Sequence, residues 1–120
     1  MHIHESAENY LEAILALSKQ GPVRSIDVAQ FLGFSKPSVS RAMSLLRENG
    51  YVTVNDTGHL LLTDSGREIA ASMYERHTLL TKWLVQLGVP ADIAAEDACK
   101  IEHDLSAETF AAIKRHVGEI

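Results

Sequence analysis

Apolar residues early in the chain fall on one side of a helix. Leu11, Ile14 and Leu15 recur with Ser18 at helical spacing, and Tyr10, Ala13 and Leu17 widen the stripe. A helix is therefore expected from an N-cap at Ser6 to about Lys19, and Gln20-Gly21-Pro22 stops it. Residues 25–48, SIDVAQFLGFSKPSVSRAMSLLRE, then read as two short helices around a tight turn. Ser25 is the expected cap of the first, with Ile26, Ala29 and Leu32 facing inward. Gly33 supplies the left-handed exit. Ser35 caps the second helix, and Pro37 fits its first turn, where a missing N–H is harmless. Val39, Met43 and Leu46 are expected inside, and Ser38, Ser40, Arg41 and Ser44 outside.

The pattern then shortens. YVTV and HLLLT flank Asn55-Asp56-Thr57-Gly58, which predicts a β-hairpin. Helix, helix-turn-helix and hairpin in that order predict a winged helix, with His59 a polar residue of the wing. From Thr63 a helical pattern of about 24 residues resumes, with Ile69, Met73, Leu80, Leu84 and Leu87 on its inward side beside Trp83. After Gly88 to Pro90, two shorter helices are expected, over roughly 91–104 and, behind the cap Ser106, 107–117. The fold class is mainly α: a winged helix-turn-helix DNA-binding domain, 1–63, followed by an all-helical dimerisation domain, 64–120. Two short helices bury little alone, so they are expected to pack against those of a second copy, making a homodimer.

The net charge of −5 runs against nucleic-acid binding until its distribution is considered. Residues 19–47 hold five basic side chains (Lys19, Arg24, Lys36, Arg41 and Arg47) and only Asp27 against them, a local balance of +4. Residues 92–120 carry seven acids against three bases. A basic block on the helix-turn-helix and acid elsewhere suit contact with double-stranded DNA by one face. Hydroxyls and an arginine on an exposed helix reach phosphates and base edges. No apolar run approaches a membrane span, and the single cysteine, Cys99, suits a reducing compartment, so a cytoplasmic location is expected.

Cys99, Glu102 and His103 stand at i, i+3 and i+4, which a helix gathers on one face. Thiolate, carboxylate and imidazole form the donor set of a transition-metal site. His77 on the long helix can supply a fourth ligand. Glu12, in a register that leaves it exposed, can supply a fifth, with Asn9 one turn before it. His2 and His4 are expected to take no part in metal binding.

The segments SAENYLEAI, LTDSGREIA, YERHTLL and DACKIEHDLS, with the winged helix between the first two, resemble the diphtheria-toxin-repressor family of metal-dependent transcriptional regulators. The resemblance runs in order from about Ser6 to Ser106. It implies metal held by Glu12, His77, Cys99, Glu102 and His103, with Asn9 as a further candidate. It implies DNA contact through Ser35, Pro37, Ser38, Ser40 and Arg41, to which the basic block adds Lys36. The chain also departs from the family. The manganese-type branch has acidic residues at positions 9 and 99, and the iron-type branch has methionine and cysteine. Cys99 thus points to iron, whereas Asn9 fits neither branch. Thr81 and Ala95 replace the glutamate and histidine of the iron branch's ancillary site, which is expected to be absent or rebuilt. There is no room for the third, SH3-like domain of the longer iron repressors.

These readings combine into a repressor that binds operator DNA as a homodimer when loaded with a divalent ion, Fe²⁺ favoured and Mn²⁺ next, controlling metal-ion homeostasis. The alternatives are a manganese-responsive regulator of the same type and a metal-independent winged-helix regulator. An enzyme is not expected, because the chain carries no Gly-rich phosphate loop, nucleophile elbow or H-E-x-x-H motif.

Overall fold

The computed structural model describes residues 5–118, so His2 and His4 lie outside the described residues. In chain order the elements are α1 (Glu5–Ser18), α2 (Ser25–Leu32), α3 (Lys36–Glu48), β1 (Val52–Val54), β2 (Leu60–Leu62), α4 (Asp64–Gln86), α5 (Ala91–Ile101) and α6 (Ala107–Gly118). The chain forms two compact units, Met1–Ala71 and Ser72–Ile120, and the division falls within α4.

The first unit is the winged helix. Its core gathers Leu11 and Ile14 of α1, Val28 and Ala29 of α2, Val39, Met43 and Leu46 of α3, and Val52 and Leu60 of the hairpin. β1 and β2 pair antiparallel, with Val52 opposite Leu62 and Val54 opposite Leu60. Val23, between α1 and α2, adds a bridge to Leu60, whose N–H donates to the Val23 carbonyl at 2.7 Å. The hairpin is thereby fastened to the chain ahead of the helix-turn-helix.

Three expectations about this unit need correction. Ser6 does not cap α1 but lies inside it. Ser25 likewise begins α2; the cap residue is Arg24, whose N–H is taken by the Asp27 carboxylate at 2.9 Å. Ile26 is 40 % exposed, whereas Val28 is fully buried. From Ser25, the 3.6-residue period brings 28, 29 and 32 to the core side and turns 26 away from it. A step of three alone drifts off the face.

In the second unit Met73 and Leu80 of α4, Ala94 and Ala98 of α5, and Phe110 and Val117 of α6 are buried. Leu87, expected inside, is 63 % exposed. α4 stops at Gln86, and Gly88 takes a left-handed φ of 104°, so Leu87 sits in the exit turn beyond the packed face. α5 is also shorter than expected and ends at Ile101, with residues 102–104 forming a turn. Ser106 caps α6 as expected, its hydroxyl accepting from the Thr109 N–H at 3.1 Å.

Candidate metal centre and DNA-binding face

The outward face of α3 rests on a firmly set helix start. Gly33 adopts φ 73°, which a residue without Cβ takes without strain, and its N–H returns to the Ala29 carbonyl. Ser35 then accepts from the Ser38 N–H at 3.3 Å and donates its hydroxyl proton to Ser38 Oγ at 2.8 Å. Ser38 is therefore half-buried and engaged with the cap rather than presented outward as expected. Lys36, Pro37, Ser40, Arg41 and Ser44 are exposed, and Val39, Met43 and Leu46 anchor the opposite side. The tip of the hairpin is equally ordered. Asn55 Oδ1 accepts from the Thr57 N–H at 3.1 Å, the Thr57 hydroxyl at 2.9 Å and the His59 N–H at 2.9 Å. His59 Nδ1 lies 2.9 Å from Thr57 Oγ1, so this histidine braces the tip.

In the second unit the side chain of Glu102 is completely buried. It closes the end of α5, its N–H donating to the Ala98 carbonyl at 2.9 Å. Its Oε2 lies 3.0 Å from Nδ1 of His77 on α4. Its Oε1 is 3.4 Å from Nε2 of His103 and has no hydrogen-bond partner among the described residues. Cys99, Glu102 and His103 bring one sulfur, one oxygen and one nitrogen within 4.8 Å of one another. The grouping expected from the sequence is thus present, although α5 stops short of it; the turn after Ile101 keeps Glu102 near helical dihedrals, φ −57° and ψ −29°.

The fit to a metal ion can be tested on that carboxylate. An ionised carboxylate withdrawn from water needs a donor or a cation at each oxygen. One Glu102 oxygen has an imidazole and the other lacks a hydrogen bond, while a thiol and a second imidazole stand beside them. A divalent transition ion would meet that need, and the mixed sulfur, nitrogen and oxygen donors suit it. The residues fit the group.

Glu12 and Asn9 lie on α1 in the first unit, both half-buried. The expected exposure of Glu12 is corrected: the residue is half-buried, although α1 turns it away from the face of Leu11, Ile14 and Leu15. Thr81 and Ala95 are half-buried in the second unit, and Thr81 Oγ1 has no hydrogen-bond partner among the described residues.

Sequence reasoning passed over Arg76. Its Nη1 donates to the main-chain carbonyls of Glu102 at 2.9 Å and Leu105 at 2.7 Å, and its guanidinium carbon lies 5.3 Å from the centre of the Phe110 ring. The only signal in the sequence is its place immediately before His77.

Residues 2–60 match the iron dependent repressor N-terminal DNA binding domain, and residues 63–120 match the iron dependent repressor metal binding and dimerisation domain. The chain belongs to this family. It is 33 % identical over 114 residues to the transcriptional regulator MntR of Escherichia coli, covering 94 % of this chain and 74 % of that protein. It is 33 % identical over 107 residues to the iron-dependent repressor IdeR of Mycobacterium bovis, covering 87 % of this chain and 46 % of that protein. A solved manganese-dependent transcriptional repressor in complex with manganese superposes with a TM-score of 0.85 at 34 % identity, over 93 % of this chain and 52 % of that one. The chain thus spans about half the length of that solved structure. These members of the iron-dependent repressor family are transcriptional regulators, and their names cover both manganese and iron. Among the described residues no helix is long and apolar enough to cross a membrane.

Proposed function

We propose that this chain is a metal-activated transcriptional repressor, not an enzyme, that binds operator DNA as a cytoplasmic homodimer and controls metal-ion homeostasis. The observation that carries the proposal is the buried Glu102 carboxylate, flanked by His77, His103 and Cys99, in a chain whose first unit is a winged helix. Glu102 supplies the charge, His77 and His103 the imidazoles and Cys99 the thiolate. Glu12 and Asn9 join this set on residue type and family resemblance. When bound, a divalent ion would neutralise the buried carboxylate and favour the DNA-competent form by a coupling of about 1–3 kcal/mol. The thiol and two imidazoles favour Fe²⁺ slightly, with Mn²⁺, named for the solved relative, next.

The reading face is Ser35, Lys36, Pro37, Ser38, Ser40 and Arg41. Ser35 and Ser38 set the start of α3, and Lys36, Ser40 and Arg41 meet phosphates and base edges. Two copies place their α3 helices in successive major grooves, about 34 Å apart. Tyr74, Val85, Leu87 and Ile93 of the second unit are exposed apolar residues of the kind a homodimer covers, which supports a division of labour between 1–63 and 64–120.

Fluorescence anisotropy tests this on a duplex from the region upstream of the chain's own gene, at fixed salt. The metal-free protein is titrated separately with Mn²⁺, Zn²⁺ and, without oxygen, Fe²⁺. One metal is expected to raise affinity tenfold or more, and Cys99→Ala to blunt the response. Equal binding with and without metal would overturn the proposal.

A further inference from the structure

The geometry points to Arg76 as the positioning residue of the metal centre, holding the backbone that delivers two of its ligands; this rests on the metal reading above. α5 ends at Ile101, so the carbonyls beyond it have no helix to accept for. Arg76 Nη1 takes two of them, Glu102 at 2.9 Å and Leu105 at 2.7 Å, on either side of His103. The stretch between these anchors is the turn that brings in Glu102 and His103. The guanidinium also lies over Phe110 of α6, so one side chain of α4 holds the end of α5, the connecting turn and the following helix. The next residue, His77, meets the Glu102 carboxylate at Oε2. Arg76 and His77 therefore hold Glu102 from both ends, one at its main chain and the other at its side chain.

Packing alone does not account for an arginine here. Its Nε is buried without a hydrogen-bond partner among the described residues, an expense that an apolar side chain of similar length would avoid. A cation at a helix C-terminus aimed at two carbonyls is favourable, and the planar guanidinium can stack on Phe110 while it donates. A lysine reaches the same carbonyls only as a point charge.

The test compares the wild-type chain with Arg76→Met and Arg76→Lys by Co²⁺ titration, following affinity and the visible spectrum of the bound ion. Backbone hydrogen exchange at His103, Asp104 and Leu105 is measured on the metal-free proteins. Arg76→Met is expected to lose about 10–100-fold in Co²⁺ affinity, the range for residues that orient ligands without touching the metal. Its spectrum at saturation should change and its three amides should exchange faster. Arg76→Lys is expected to fall between, and it carries the test alone if circular dichroism shows Arg76→Met unfolded. Wild-type affinity and spectrum in folded variants would overturn the inference even if their melting temperature drops, since Arg76 would then be a staple only. A wild-type chain that takes up no Co²⁺ would overturn the metal reading and this inference with it.

Discussion

Gly66 lies so close to Tyr51 that a Cβ at residue 66 would collide with the Tyr51 carbonyl oxygen. That oxygen also accepts from the Thr63 N–H at 3.0 Å. The Thr63 hydroxyl in turn donates to the Gly50 carbonyl at 2.7 Å and accepts from the Gly66 N–H at 3.1 Å. The first turn of α4 is thus set against the residues leading into the hairpin, with no room for a methyl group. Gly66→Ala is expected to destabilise the fold by about 1–3 kcal/mol, although alanine is the better helix former. Thermal unfolding should show the midpoint lowered by roughly 5–10 °C. Ser65→Ala, at an exposed neighbouring position, serves as the control; equal midpoints would mean that the backbone gives way without strain.

Glu102→Gln separates a ligand from a structural acid by which property it changes more. The substitution keeps the shape and an oxygen that can still face His77, so the metal-free protein should stay folded. Metal affinity should nevertheless fall at least about tenfold. Calorimetric titration with Mn²⁺ alongside thermal unfolding measures both. A large loss of metal-free stability with unchanged affinity would assign Glu102 to folding alone.

Acid should weaken metal binding. If Cys99, His77 and His103 are ligands as proposed, the thiol and the two imidazoles must give up their protons to bind, so metal uptake would release protons and affinity would fall as pH drops. The slope of log affinity against pH between about 5 and 7.5 should be positive. Flat behaviour across that window would remove these three residues from the ligand set.

Arg41→Ala tests the reading face. Arg41 is exposed on α3 beside Ser40 and Ser44, with Val39 and Met43 buried behind them. If it meets a phosphate, the variant should bind all duplexes more weakly and lower the salt slope by about one. If it reads a base, the loss is about 1–3 kcal/mol and confined to the cognate sequence. Unchanged affinity on every duplex would move the contact surface elsewhere.

The wing and the paired helices were legible because their signals are local: Gly33, Ser35, Pro37 and Gly58 each dictate a turn or cap from their own chemistry. The Cys99, Glu102 and His103 grouping was legible for the same reason, being spaced by one helical turn. Ile26 and Leu87 misled because apolar character alone does not say where a helix starts or stops, and each lies where a shift in the element's limits changes its environment. The complete burial of Glu102 could not be read from its neighbours, since it depends on how distant segments close over it. Arg76 was hidden more deeply, because its partners are main-chain carbonyls 26 and 29 positions away, and a carbonyl leaves no mark in a sequence.

The Asn55 carboxamide makes the tip of the hairpin behave as a gauge. With three donors converging on one oxygen, the tip keeps its shape before any duplex arrives. If the tip is where the proposed repressor meets a duplex, little ordering of the loop is required at the moment of contact, and little of its give is available to absorb a poor match. At that point more of the adjustment would then fall to the duplex, in groove width or bend. Base steps that the protein never touches would then still influence binding, through how readily they deform.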